Sequence, residues 1–104
     1  MKINILGYEY TVSRGCFHNE DTGYINHNDC TITIDDSLSP EASAETILHE
    51  IFHGIEYANR LTWAEDDIWR MARGIFAVLR ANPQLVAAIM LEVSNEPEDL
   101  ELDL

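Results

Sequence analysis

One stretch of this sequence has the residue types and spacing of a metal-dependent hydrolytic site: His49-Glu50-Ile51-Phe52-His53, an H-E-x-x-H pattern. On a helix, His49 and His53 lie one turn from each other and roughly 40° apart around the axis. Two imidazoles in this arrangement can bind one zinc ion through their ring nitrogens. Glu50 points to the same side, where it can reach a water molecule activated by the ion. The pattern predicts His49 and His53 as metal ligands and Glu50 as a catalytic base.

A zinc ion held by two histidines needs a third protein ligand and an open coordination position. A glycine three residues and a histidine six residues after His53 would complete one known solution, but Glu56 and Asn59 occupy those positions. An acid on the next helix is the other common solution. Glu65 is predicted to lie on the inward, apolar arc of that helix, whereas Asp66 points away from it. Glu65 is the predicted third ligand, with Asp66 as the alternative.

Other interpretations of these acids and of the remaining polar residues stay open at this stage. Thr62-x-x-Glu65 also fits a capping box, in which the glutamate only accepts a hydrogen bond from a backbone N–H. For Glu65 to reach the histidines, the first helix has to end soon after Tyr57 or Asn59. A second metal site could combine His18 and His27 with Cys16 or Cys30. Candidate donors to an oxyanion are Tyr24, Tyr57 and Arg73.

The first third of the chain predicts short strands. Residues 3–5 and 8–12 alternate apolar and polar side chains around Gly7, which indicates a hairpin. Residues 13–23 are polar and predict a loop. Residues 24–26 and 30–34 predict two further strands around a turn, with Cys30, Ile32 and Ile34 on one buried face.

The remainder predicts three helices. Ser39-Pro40-Glu41 is a helix start, and Thr62 to Glu65 opens a second helix. The first helix should bury one apolar stripe and turn its histidines toward a cleft on a separate polar arc; the stripe is Ala44, Ile47, Leu48, Ile51, Phe52 and Ile55. The second should bury Ile68, Met71, Ala72, Ile75, Phe76 and Leu79. After Asn82-Pro83 the third presents Leu85, Val86, Ile89, Met90 and Val93.

The predicted fold is α+β, a small and mainly antiparallel sheet packed on three helices, with the H-E-x-x-H motif on the first long helix. We expect a single domain over residues 1–94, because a chain of 104 residues is too short to give two domains useful cores. Residues 95–104 are acidic and predict a frayed tail.

The composition excludes some classes of function. A net charge of −13, from 19 acids and 6 bases, argues against nucleic acid as a partner, because phosphate binding needs clustered basic residues. No apolar run approaches the ~20 residues of a membrane span, and the N-terminus does not have the pattern of a signal peptide. We therefore expect a cytoplasmic protein with no membrane partner.

The motif residues, together with an Ile-Thr-Ile strand ending in Asp35, the Ser-Pro-Glu helix start and the Asn-Pro break, resemble small phage- and prophage-encoded zincin-like metallopeptidases, similar to the ImmA/IrrE group. The resemblance implies a compact zincin-like domain with His49 and His53 as zinc ligands. It further implies Glu50 as catalytic base and a glutamate on the following helix, best matched by Glu65, as third ligand. No acid follows Glu65 by one turn to orient a histidine, since Trp69 stands there.

The predicted function is zinc-dependent hydrolysis of a peptide bond in a peptide or protein substrate, with Glu50 as the general base. For a phage-encoded protein the location would be the host cytoplasm. Two alternatives stay open: a zinc-binding interaction module that cleaves nothing, and a degenerate zincin whose motif is only structural.

Overall fold

The computed structural model describes residues 1–17 and 19–94. It is a small α+β domain, as predicted. Four strands are followed by three helices: β1 (Lys2–Ile5), β2 (Tyr8–Gly15), β3 (Gly23–Asn26), β4 (Thr31–Asp35), α1 (Pro40–Ala58), α2 (Glu65–Ala81) and α3 (Leu85–Ser94). The predictions for His18 and for the acidic tail lie outside the described residues.

The predicted N-terminal hairpin is confirmed. β1 and β2 pair antiparallel, and Leu6 and Gly7 between them both have positive φ angles, 52° and 96°. Two successive residues with positive φ are typical of the tight turn that matches strand twist. The Asn4 side chain accepts a hydrogen bond from the Gly7 N–H at 2.9 Å and holds this turn.

The strand order is β1-β2-β4-β3, so β3 lies at an edge of the sheet. The two outer pairings are antiparallel, as expected for a mainly antiparallel sheet, but β2 and β4 pair in parallel. The loop predicted over residues 13–23 is wrong at its start, because β2 continues to Gly15 alongside β4. Cys30 lies in the turn before β4, with φ of 54°, and packs half-buried against the core instead of within the strand.

Helix α1 begins as predicted: Pro40 is its first residue and the Ser39 hydroxyl accepts a hydrogen bond from the Ala42 N–H at 3.2 Å. Its buried face differs from the prediction. None of the six residues of the predicted apolar stripe is fully buried, and the fully buried residues are Ser43, Thr46, His49, Glu50 and Gly54.

Small side chains explain this difference, because they let α1 approach the sheet closely. A Cβ placed on Gly54 would lie 2.7 Å from a side-chain carbon of Ile5. The larger aliphatic residues of α1 pack beside this contact, half-buried against a core of Ile5, Tyr10, Ile32 and Ile34.

Helix α2 begins at Glu65 and its N-cap is Ala64, so the predicted start at Thr62 is wrong and the capping box does not form. Two residues of its predicted stripe, Ile68 and Ala72, are buried against α1. The predicted third helix is present as α3, and none of its residues is buried. Among the described helices, none is by itself long and apolar enough to cross a bilayer. Only α2 and α3 taken together reach that length and apolar content, and the angle between them is 88°.

Candidate metal centre

Helix α1 carries the three motif residues on the side that faces β3 and α2. His49 and Glu50 are buried, with 3% and 4% of their surface exposed, and His53 is half-buried one turn later. The donor atoms of these three side chains lie within 4.8 Å of one another. Among residues 1–17 and 19–94 they form the group of His and acid side chains that could hold a metal ion.

Glu65 joins the two histidines from the start of α2. Helix α1 ends at Ala58, as the reach of Glu65 required, and the chain returns through residues 59–64. One Glu65 carboxylate oxygen lies 2.7 Å from His49 Nε2 and the other lies 3.1 Å from His53 Nε2. Asp66 has no such contact with either histidine.

The His53 ring is oriented by a residue that the sequence did not single out, Glu56. His53 Nδ1 donates a hydrogen bond to one carboxylate oxygen of Glu56 at 3.0 Å, and the other oxygen accepts the backbone N–H of Trp63. Burial would raise the pKa of Glu56, but these two hydrogen bonds, together with the nearby rings of His53 and His27, lower the pKa below its ordinary value. The sequence signal for this contact is the i, i+3 spacing from His53 on the same helix face.

The hydrogen bond to Glu56 places the proton of the neutral His53 ring on Nδ1. His53 Nε2 then carries a lone pair. That atom faces His49 Nε2 at 3.1 Å and a Glu65 oxygen at 3.1 Å. Electron pairs at these distances repel each other unless a proton or a metal cation lies between them. The ligands of a tetrahedral zinc ion are separated by about 3.3 Å. The three groups therefore fit a bound metal ion.

His49 is held mainly by packing. The Trp69 indole lies against its ring, with 3.9 Å between ring centroids, and His49 Nδ1 is buried without a hydrogen-bond partner among the described residues. Burial lowers the pKa of His49, against the opposing effect of the Glu65 carboxylate. A lowered pKa keeps the imidazole neutral, which is the form that binds metal ions.

Glu50 is also within ligand reach of the two histidines, but its oxygen is farther from His49 Nε2, at 3.9 Å, than the Glu65 oxygen at 2.7 Å. Burial raises the pKa of its carboxyl from 4.5 to about 7, with the His53 ring acting in the opposite direction. Its aliphatic stem packs where β3 comes close: a Cβ on Gly23 would lie 3.4 Å from Glu50 Cγ. A buried carboxyl with a pKa near 7 is suited to accept and return a proton.

An open cavity of about 470 Å³ leads to these groups. Its walls are Trp69, β3 from Gly23 to Ile25, and the preceding residues Glu20 to Thr22. Of the three candidate oxyanion donors, Tyr24 lines this cavity. Tyr57 instead stacks on His27, and Arg73 lies over Trp69 and near Glu45.

The second metal site predicted from His18 and His27 with Cys16 or Cys30 is not tested, because His18 lies outside the described residues; His27 and the two cysteines have other surroundings. His27 Nδ1 and the Tyr10 hydroxyl share a hydrogen bond of 3.0 Å, and the ring stacks on Tyr57 at 4.1 Å. Cys30 Sγ contacts the His27 carbonyl oxygen instead of its ring, and Cys16 is exposed. His27 is thus packed in an aromatic cluster with Tyr10 and Tyr57.

In comparisons with known proteins, no family model matches this chain, and neither a curated protein nor a solved structure matches it significantly. The resemblance to the ImmA/IrrE group stays a prediction.

We expect Glu65→Gln to weaken metal binding at least about 100-fold, because the amide replaces an anionic ligand that reaches both histidines. Asp66→Asn removes the same charge from the same helix turn and should leave metal affinity unchanged. Competition with a chromophoric chelator measures both. Equal losses in the two variants would indicate a general charge effect and not ligation.

We also expect the stability of the metal-free protein to depend on pH through Glu50. The folded pKa of about 7 exceeds the ordinary 4.5, so between these values the folded state holds a proton that the unfolded state has released. This contribution to the free energy of unfolding is complete below pH 4.5 and is lost as the pH rises through about 7. The full shift corresponds to about 3 kcal/mol.

Glu50→Gln isolates the contribution of Glu50 to the pH dependence. His49, whose lowered pKa changes the free energy of unfolding in the opposite direction with pH, is present in both proteins. The variant should match the wild type below pH 4.5 and exceed it by about 3 kcal/mol above pH 7. Urea unfolding in the presence of a chelator measures the difference. Glu9→Gln, an exposed change on β2, should follow the wild type at every pH, and a Glu50→Gln difference independent of pH would contradict the assignment.

Proposed function

We propose that this protein is a zinc-dependent peptidase in which His49, His53 and Glu65 hold the ion and Glu50 is the general base. The observation that carries the proposal is the meeting of two ring nitrogens and a carboxylate at 2.7–3.1 Å, beside a second, buried carboxyl. Two imidazoles and one carboxylate favour zinc over calcium or magnesium.

When bound, zinc would supply Lewis acidity, which lowers the pKa of a coordinated water and polarises the scissile carbonyl. Glu50 takes a proton from the attacking water and passes it to the leaving amine. Its low exposure keeps bulk water from that proton. Of the candidate donors to the carbonyl oxygen, Tyr24 is the one that lines the cavity.

The edge strand β3 supports an extended peptide as substrate. β3 pairs with β4 on one side, and its residues Gly23, Tyr24 and Ile25 line the cavity. A free strand edge binds an extended chain through backbone hydrogen bonds, which give affinity without a deep pocket. This suits a small domain, because the sheet itself then supplies the binding surface.

The charge around the cavity favours a substrate with basic residues near the scissile bond. Its lining includes Glu20 and Asp21 in addition to Glu50 and Glu65, and none of the described lining residues is Lys or Arg. Glu20 and Asp21 are the two of these acids that have no role in the proposed zinc binding or proton transfer. Like charges repel an acidic peptide, and opposite charges attract a basic one.

Incubation of zinc-loaded protein with a mixture of peptides that vary at each position tests this proposal. We expect metal-dependent cleavage, abolished by a chelator and restored by zinc, with enrichment of Lys or Arg near the cut. Asp21→Asn should reduce that enrichment. Absence of cleavage at full zinc content would refute the peptidase and leave the alternative, a zinc-binding interaction module.

A further inference from the structure

Trp69 stands on α2 one turn after Glu65 and contacts another of the proposed ligands, His49. The centroids of the indole and the imidazole lie 3.9 Å apart, and the two ring planes are tilted by 30°. Trp69 is half-buried and lines the cavity in front of the metal centre. Helix α2 therefore brings two side chains to the centre, a carboxylate that reaches both histidines and an indole that packs on one of them.

The two histidines differ in what orients their rings. His53 Nδ1 donates a hydrogen bond to Glu56 at 3.0 Å. His49 is only 3% exposed, and its Nδ1 has no hydrogen-bond partner among the described residues. A histidine that binds a metal ion usually donates its second ring N–H to an acceptor, which fixes the orientation of the ring. Trp69 cannot supply that acceptor, because the indole nitrogen is a donor only. For His49 the structure offers a ring contact instead.

Trp69 is itself held in place against α1. Ala72, three residues later on the same helix, is fully buried in the packing of α2 on α1. The Arg73 guanidinium carbon lies over the indole, 5.4 Å from the ring centroid, where the π electrons attract the positive charge. Arg73 Nε lies 3.7 Å from a carboxylate oxygen of Glu45. Because Glu45 stands one turn before His49 on α1, these contacts join the same stretch of both helices.

We propose that Trp69 is the positioning residue of His49, and that its indole keeps the imidazole turned so that Nε2 faces the Glu65 carboxylate. Stacking restricts rotation of the imidazole about its Cβ–Cγ bond and leaves both ring nitrogens free. Unlike a hydrogen bond to a carboxylate, it does not raise the basicity of the ligand. The inference rests on the proposed metal centre, and it assigns the orientation of one histidine to α2 and that of the other to α1.

Two measurements on the full chain test the proposal: zinc affinity from competition with a chelator, and the visible absorption of the cobalt(II) protein, whose bands depend on ligand geometry. Trp69→Leu keeps an apolar side chain but removes the flat ring. We expect it to raise the zinc dissociation constant about 10-fold or more, because loss of a contact that orients a metal ligand costs about 10- to 100-fold in affinity. It should also shift the cobalt bands. Trp69→Phe retains a ring and should restore most of the affinity and the wild-type bands.

Phe76→Leu is the matched control. Phe76 is a half-buried aromatic residue two turns after Trp69 on α2. The Arg80 guanidinium lies over its ring at 5.9 Å, as that of Arg73 does over Trp69. Phe76 lines a groove between α1 and α2 and not the cavity of the metal centre. The same change there should therefore leave zinc affinity and the cobalt bands at their wild-type values. Circular dichroism of the metal-free proteins compares their folds.

Proton NMR of the wild type adds a measurement that does not require a variant to fold. The ring current of a stacked indole should move the signals of the His49 ring protons upfield from their positions in the urea-unfolded protein, with and without zinc. Absence of that shift would overturn the role of Trp69, and so would equal zinc affinities in Trp69→Leu and Phe76→Leu. Both results leave the metal centre standing, whereas a wild type that binds no metal would overturn the centre and this role together.

Discussion

Glu50→Gln is expected to lower the rate of peptide hydrolysis about 10³-fold while zinc content stays at the wild-type level. The amide has the shape of the carboxyl but cannot take a proton from water. The proposed ligands are His49, His53 and Glu65, and Glu50 is farther from His49 Nε2, at 3.9 Å, so we expect its substitution to leave zinc bound. Initial rates on a peptide selected from the mixture, at saturating zinc, measure the loss.

The control for this variant is again Glu9→Gln, which removes an equal charge on the opposite part of the sheet and should keep the wild-type rate. Zinc content measured on the same samples separates loss of chemistry from loss of metal. A zinc-loaded Glu50→Gln protein that hydrolyses peptides at the wild-type rate would remove Glu50 from the mechanism.

His53→Ala is expected to lose bound metal almost completely, against about one zinc per chain in the wild type. The substitution removes one of the three donors and leaves His49 Nε2 and the Glu65 carboxylate without the third. Mass spectrometry of tag-free protein, dialysed after addition of zinc, gives the metal content per chain. Zinc should also raise the melting temperature of the wild type and not that of the variant.

His27→Ala is the matched change, since His27 is another half-buried histidine, with its ring bonded to Tyr10 and stacked on Tyr57. It should retain zinc at the wild-type level. If neither the wild type nor His53→Ala binds metal after zinc is added, the hydrolase proposal falls and a small acidic binding protein is left.

Local patterns predicted the elements that hold the candidate centre. The start of α1 at Ser39 and Pro40 follows from capping and from the fixed φ of proline, both of which act within one helical turn. Helical periodicity placed Glu65 on the side of α2 that faces α1, and its carboxylate contacts both histidines although the side chain is 59% exposed. These features depend on neighbours in the chain, so sequence alone contains them.

Features that depend on distant packing were not predictable in the same way. The parallel pairing of β2 with β4 joins strands separated by β3, and no turn signal marks it. The buried face of α1 is set by how closely Gly54 lets the helix approach Ile5, which overrides the aliphatic stripe. The sequence predicted α3 as an amphipathic helix, and none of its residues is buried in the described chain.

The two hydrogen bonds of the Glu56 carboxylate also depend on distant packing. One of them comes from the backbone N–H of Trp63, seven residues later in the chain. The sequence places Glu56 one turn from His53, but only the path of the chain after α1 brings Trp63 back to the same carboxylate. Glu56 stands where one class of metal site carries a glycine, so its residue type argued against that class without indicating the contact that it makes.

The double contact of Glu56 makes the length of the α1–α2 connection a determinant of the metal centre. One carboxylate orients His53 and also fixes the chain at Trp63, two residues before Glu65. An insertion or deletion within residues 59–64 would therefore disturb two ligands at once. We expect substitutions of Glu56 and Glu65 to be energetically coupled, so that their effects on metal affinity do not add. The spacing between the two helices then constrains the candidate centre as much as the identity of its proposed ligands does.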